Sequence, residues 1–361
     1  MINQNNVKSP GYLAKLASVL ELRAMSNEDA YRDNKRVINE KLYETLLVYL
    51  TFIPFTVLGT YTRLGIFRLS SYEPSYITAT STIWSNMVAC FLLGAIRYAD
   101  GIITIDSYML PSLTTGFCGT ASSFSSFILE LFQHSTHSAI SGPQYPNAGY
   151  GVMEFLSVLV IQLFASGGAL VFGQTVARHL LNHYTSYHKK LQKFVNYGGK
   201  LMRFGCVPIV VSQIVLSIVF SGDSRFWTLD ALFGIVGAAI RFELSKHFNN
   251  KFNWFPMGTF LANIISSTLA CVLFMLRYGL KDGRPLVTNT EATSMVLYLL
   301  LGFCGSLSTL STFVYEGNNM PIMNACWYYF LSVGICFCVS IVITGTYAWT
   351  HGIQDIQGRI A

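Results

Sequence analysis

Charge is what this sequence has least of: Asp, Glu, Lys and Arg make up 12% of its 361 residues, about half the roughly 25% usual in soluble domains. With 52% hydrophobic residues and a mean hydropathy of +0.44, that scarcity excludes a soluble enzyme. Carboxylates are missing from the middle of the apolar stretches, since Glu130, Glu154, Glu243 and Glu316 all fall near stretch ends. No mid-span cation site or proton relay is therefore expected. Metal-type clustering is absent too. Of eight cysteines, seven (Cys90, Cys118, Cys271, Cys304, Cys326, Cys336 and Cys338) lie inside apolar stretches and Cys206 opens one, so they read as free thiols packed as small hydrophobes. His179, His183 and His188 fall in a basic linker and His134 and His137 in a polar loop, without the acidic partners of a metal enzyme. The excess of 24 Lys and Arg over 18 Asp and Glu, +6 in all, sits in tails and loops, where it sets topology. A nucleic-acid partner is not expected.

What is present is length of apolar sequence. A span needs about 20 apolar residues, and nine stretches qualify: 45–67, 78–97, 108–132, 153–176, 206–221, 227–246, 256–277, 293–315 and 322–348. The fold class is thus an all-α integral membrane protein with nine transmembrane helices. Ahead of them, residues 1–43 are polar, and Leu13, Leu16, Ala17 and Leu20 fit either a weak amphipathic helix on the membrane surface or part of a mobile tail. Basic residues concentrate before the first span (Lys35, Arg36, Lys41) and between the fourth and fifth (Arg178, Lys189, Lys190, Lys193, Lys200, Arg203), whereas 133–151 has none. That distribution puts the amino terminus in the cytoplasm and, after nine crossings, the carboxyl terminus outside.

The halves repeat. GFCGTASSFSSFILE from Gly116 returns as GFCGSLSTLSTFVYE from Gly302, sharing Gly-Phe-Cys-Gly, a Ser, and the closing Phe and Glu. Around it, Gly59 and Arg63 match Gly237 and Arg241, and Asn86 matches Asn263. The chain divides into a tail 1–43, a four-helix repeat 44–178, a basic linker plus linking helix 179–225, a second repeat 226–348 and a short external tail 349–361. One extra crossing inverts the second repeat, an arrangement that places a transport site at the repeat interface near the midplane.

Small and hydroxyl residues crowd the third span of each repeat. In one such stretch they fit a tight helix crossing; in two inverted copies they fit broken backbone lining a cavity, able to pool carbonyls around a cation or show hydroxyls to a pore. Asn86 and Asn263 serve either as interhelical glue or as amide donors to a pathway. Arg63 and Arg241, near span ends, either snorkel to the interface or make a positive vestibule for an anion. Tyr328, Ser332, Cys336, Ser340 and Thr344 are spaced by four on one face of the ninth span. Aligning the fourth span with it on Gly173 and Gly345 sets Leu156, Val160, Phe164 and Gly168 there instead, so the stripe exists in one repeat only. This inventory of donors and hydroxyls suits an anion.

These residues resemble the fluoride export channels, bacterial Fluc (CrcB) and especially the fungal FEX group. The resemblance rests on Gly116 to Glu130 and Gly302 to Glu316, on Gly234, Gly237 and Arg241, and on Gly258, Thr259 and Asn263. It covers both repeats and implies an antiparallel dimer fused into one chain, a pseudo-dimer working alone. It also implies that Asn86 and Asn263 are pore amides, and that Phe124, Phe127 and Phe313 belong to aromatic boxes meeting fluoride with their positive ring edges. Leu310 stands where the pattern has the first Phe, so Phe124 with Phe313 would make a complete pore and Phe127 with Leu310 a degenerate one. Tyr328, Ser332 and Ser340 look like the family's polar track. A structural sodium held by backbone carbonyls would map to Gly119, Ser122, Gly305 and Ser308, and no other cofactor is implied. The expectation is a passive fluoride channel of the plasma membrane, its partners fluoride and lipid. The alternatives are a proton-coupled small-anion transporter, which the lack of a mid-span carboxylate disfavours, and a membrane-embedded enzyme, for which no catalytic cluster appears.

Overall fold

In hydrocarbon every backbone N–H and C=O must find its partner within the protein, and the apolar stretches accordingly fold as helices. The computed structural model describes residues 10–72, 81–136, 145–147, 149–252 and 254–354, with side chains from residue 35 onward except that of Asp223. The proposed amphipathic face of Leu13 to Leu20, His137, and the tail from residue 355 therefore lie outside the described side chains or residues. Two compact units are formed, 1–49 and 50–361. The first is helical from Pro10, and its Arg36 and Glu40 pair at 3.2 Å one turn apart.

The helices in order are α1 (Pro10–Ser70), α2 (Ile83–Asp100), α3 (Phe124–Ser135), α4 (Gly149–His183), α5 (His188–Val219), α6 (Asp223–Phe248), α7 (Met257–Tyr278), α8 (Thr290–Tyr298), α9 (Leu310–Asn318), α10 (Ile322–Ser340) and α11 (Thr346–His351). Ahead of α3 the chain passes through Met109–Pro111, a π-helical Ser112–Cys118 and Gly119–Ala121; ahead of α9 it passes through a π-helical Leu299–Cys304 and Gly305–Leu307. Among the described residues, six helices are long and apolar enough to cross a membrane: Lys35–Ser70, Gly149–His183, Thr185–Val219, Met257–Tyr278, Thr290–Asn318 and Ile322–His351. The chain is an all-α membrane protein.

The basic linker is itself helical, because α4 runs on to His183 and α5 starts at His188, carrying Lys189, Lys190, Lys193, Lys200 and Arg203 in its first half. Phe164, Phe204 and Ile218 are 77%, 84% and 77% exposed, a surface suited to lipid and untenable in water. The core lies where the two broken segments meet: Phe124, Phe127, Ile128 and Leu131 join Leu310, Phe313 and Val314, with Tyr328, Val333 and Cys336 packed against them.

Candidate functional site

Each third span breaks at two extended residues. Ser122 and Ser123 have φ/ψ of −104/156° and −142/120°, and Ser308 and Thr309 have −84/163° and −153/126°. Glycine and hydroxyl residues make this break possible, since Ser123 Oγ caps α3 by accepting from Ser126 N and Thr309 Oγ1 caps α9 by accepting from Thr312 N. The remaining groups find partners in both halves. Ser125 N donates to Ser308 Oγ at 3.0 Å, and reciprocally Ser311 N donates to Ser122 Oγ at 3.0 Å. Ser123 N donates to Asn86 Oδ1 and Thr309 N to Asn263 Oδ1, both at 2.9 Å. The two Asn side chains are thus splints across the breaks at equivalent positions.

Arg63 and Arg241 require a correction. They are not a vestibule: at 5% and 1% exposure both are inside the protein, because the broken helices leave carbonyls that a guanidinium can serve. Arg63 donates to Leu301 O at 2.7 Å and Thr120 O at 2.9 Å. Arg241 donates to Thr115 O at 2.6 Å, Gly119 O at 2.7 Å and Ser308 O at 2.9 Å. Each arginine therefore reaches into the broken segment of the other half. A Cβ on Gly119 would stand 2.6 Å from Arg241 Nη2, and one on Gly305 2.8 Å from Arg63 Cζ, so both positions are glycine to admit an arginine. Of the two, among the described residues, Arg63 alone has a carboxylate nearby, Asp230 at 3.7 Å. Asp230 is fully buried; as the fourth residue of the expected span 227–246 it belongs with the carboxylates near span ends, among which it was not counted.

The resemblance assigns a sodium ion to the carbonyls of Gly119, Ser122, Gly305 and Ser308. Two of them, Gly119 O and Ser308 O, accept from one Arg241 nitrogen. Sodium at that set would stand against a guanidinium already bound to half of it, so these residues do not fit the ion as assigned.

The aromatic residues do meet. Phe124 and Phe313 stand edge to face, centroids 4.9 Å apart at 68°, and Phe313 packs on Tyr328 at 4.8 Å. Phe127 contacts Phe124 at 5.6 Å, and Leu310 is fully buried in the same cluster. Tyr328 thus shares one aromatic group with Phe124 and Phe313. One turn along α10, Ser332 Oγ is buried with no hydrogen-bond partner among the described residues. Ser340 Oγ is engaged, donating to Cys336 O at 2.9 Å and accepting from Cys271 Sγ at 3.3 Å.

The same family model, described as CrcB-like protein, Camphor Resistance (CrcB), matches residues 50–174 and again 228–346. The chain belongs to the CrcB-like family. It is 34% identical to fluoride export protein 2 of Saccharomyces cerevisiae over 89% of this chain and 98% of that protein. It is 33% identical to fluoride export protein 1 of Candida albicans over 85% of this chain and 81% of that one. The fluoride-specific ion channel FluC of Thermosipho africanus is 33% identical over 23% of this chain and 62% of its own. No solved structure matches.

Within this CrcB-like chain, the two matched segments differ in residues that sequence reasoning missed. Glu316 accepts from Thr259 Oγ1 at 2.8 Å, Asn249 Nδ2 at 3.0 Å and Tyr328 OH at 2.8 Å. Its counterpart Glu130 accepts from Gln162 Nε2 at 2.9 Å and Thr82 N at 3.2 Å. Gln162, 1% exposed, also corrects the register of the hydroxyl stripe. Ser166 faces Cys90 and Cys336 faces Ser267, and Cys90 and Ser267 sit at matching places one turn beyond Asn86 and Asn263. Ser166 therefore corresponds to Cys336, and Gln162, not Val160, to Ser332. Val160 points outward at 47% exposure. The π-helical turn Ile341–Gly345 adds one residue between the stripe and Gly345, accounting for one of the two positions by which alignment on that glycine misleads. The signal available in sequence was a lone amide between Ile161 and Leu163.

Proposed function

We propose that the chain is a passive, fluoride-selective channel through which fluoride leaves the cytosol across the plasma membrane. The reading is carried by one observation: beside the Phe124, Phe313 and Tyr328 group, and among the described residues, Ser332 Oγ is buried without a partner and Asn263 Nδ2 reaches only Thr309 O at 3.4 Å. Buried donors left unused are costly, and a small, strongly hydrated anion needs donors and positive ring edges to replace its water. The relatives named as fluoride export proteins support the identity of the anion. The chain catalyses no covalent reaction. Phe124, Phe313, Asn263, Tyr328, Ser332 and Ser340 form the conducting pathway, and Phe127, Leu310 and Asn86 belong to the degenerate one.

The proposed architecture is nine crossings as two inverted four-helix repeats, 44–178 and 226–348, joined through 179–225 and working as a single chain with a cytoplasmic amino terminus and external carboxyl terminus. It is supported by the paired family match and by the reciprocal bonds at the two breaks. Arg241 takes the role of the sodium ion at the crossing. The test is efflux from liposomes holding purified protein: fluoride is expected to leave and chloride to stay, at rates independent of an imposed proton gradient. Efflux that requires the gradient would make the protein a coupled carrier. Cysteine labelling from outside is expected to reach position 355 and miss position 193; the reverse pattern rejects the inverted topology.

A further inference from the structure

Buried donors in the two halves are used very differently. In the second, Asn263 Nδ2 has one long contact and Ser332 Oγ has none. In the first, the two counterparts Asn86 and Gln162 are both consumed inside the protein, while Ser166 Oγ, one turn along from Gln162, has no partner among the described residues. Asn86 Nδ2 donates to Gln162 Oε1 at 3.1 Å and Thr82 Oγ1 at 3.3 Å. Gln162 Nε2 donates to Glu130 Oε2 at 2.9 Å and reaches Thr82 Oγ1 at 3.4 Å. A carboxylate only accepts, so Glu130 fixes the Gln162 amide with nitrogen toward itself and carbonyl oxygen toward Asn86.

We infer that Gln162 is a built-in plug of the degenerate pathway, its amide oxygen occupying the place at Asn86 that an anion takes at the equivalent amide of the other half. The inference rests on the channel reading above. A glutamine suits the task because it offers an acceptor to Asn86 and donors to Glu130 at once, closing a chain from Glu130 to the break at Ser123 with neither water nor ion. A serine, as at Ser332, has three fewer heavy atoms and leaves that space open. Leu310 removes one aromatic edge from this pathway, and Gln162 removes its amide donor. The two defects are separate, so curing one alone leaves it shut.

The test uses the full chain in liposomes with the conducting pathway disabled by Phe313→Ala. Adding Leu310→Phe is expected to leave efflux at background, and adding Gln162→Ser as well is expected to raise fluoride efflux at least tenfold with chloride still excluded. The inference is overturned if the triple variant, eluting as a single folded species, passes no more fluoride than the double, or if the double already conducts as well. Cys90, fully buried and one turn beyond Asn86, supplies a readout that needs no conduction. In the single variant Gln162→Ser, mass spectrometry should find Cys90 modified by a small methanethiosulfonate at least fivefold faster than in the parent; an unchanged rate overturns the plug, and decides the matter if the triple variant does not fold. A parent chain that passes no fluoride removes the channel reading and leaves the Cys90 measurement standing.

Discussion

Glu130 and Glu316 hold matching positions in α3 and α9, yet they bond to different parts of their own repeats. Glu130 joins Gln162 and Thr82 in a network that includes Asn86, whereas Glu316 is taken up by Tyr328, Thr259 and Asn249 and leaves Asn263 out. Two copies of one framework thus reach opposite states. In the first, the Asn86 and Gln162 amides are satisfied by their neighbours, although among the described residues Ser166 Oγ one turn on is not; in the second, Ser332 Oγ at the position of Gln162 is left for a ligand to satisfy. Polar residues in a membrane span are not by themselves a pathway, and what distinguishes one is donors without partners.

The largest effect should come from the aromatic pair. Phe313→Ala is expected to abolish fluoride efflux while Phe127→Ala leaves most of it, because only Phe313 stands between Phe124 and Tyr328; equal loss would reject a single conducting pathway. Next, the arginines should differ. Arg63→Met strands the buried carboxylate of Asp230, at a cost of about 3–5 kcal/mol, whereas Arg241 has Phe52 at the matching position and its loss strands only carbonyls. Thermal unfolding in detergent should therefore show Arg63→Met as the more damaging change, and the comparison breaks if Arg241→Met melts lower. At the third level, Ser332→Ala should slow efflux several-fold and Val160→Ala should not, since Val160 faces outward. Normal conduction by Ser332→Ala would reduce the stripe to packing.

Smaller effects concern the crossing. Because Ser122 Oγ accepts from Ser311 N, Ser122→Ala is expected to cost about 1–3 kcal/mol for the buried N–H it orphans, more than carbonyl ligation alone implies. The smallest is sodium. With Arg241 holding Gly119 O and Ser308 O, replacing sodium by N-methylglucamine through prolonged dialysis should leave efflux unchanged, and a sodium requirement would show that ion and guanidinium share those carbonyls.

The sequence made the breaks readable because Gly and Ser are crowded twice in the same order, and the duplicated Asn, Arg and Phe followed from that register. It was less informative where the repeats have diverged. The fourth helices share no motif, so their alignment leaned on Gly173 and Gly345, and a π-helical turn between the stripe and Gly345 helped to defeat it. Arg63 and Arg241 looked peripheral because their depth depends on carbonyls released by a break in another helix, which periodicity does not report. Asp230 escaped notice for a related reason: its partner Arg63 lies in a different repeat, far away along the chain.

The exchange of bonds across the breaks also bears on how such a chain is made. When the first half leaves the ribosome, Ser308 and Arg241, which serve Ser125 N and the carbonyls of Thr115 and Gly119, have not yet been made. At about 5–20 residues per second of synthesis, those groups wait on the order of ten seconds or more inside the membrane. A nascent first half is thus an adhesive surface for whatever complementary broken helix comes first, including the first half of a neighbouring nascent chain. Covalent fusion makes the chain's own second half the locally favoured claimant, so correct pairing becomes a race the tether is built to win.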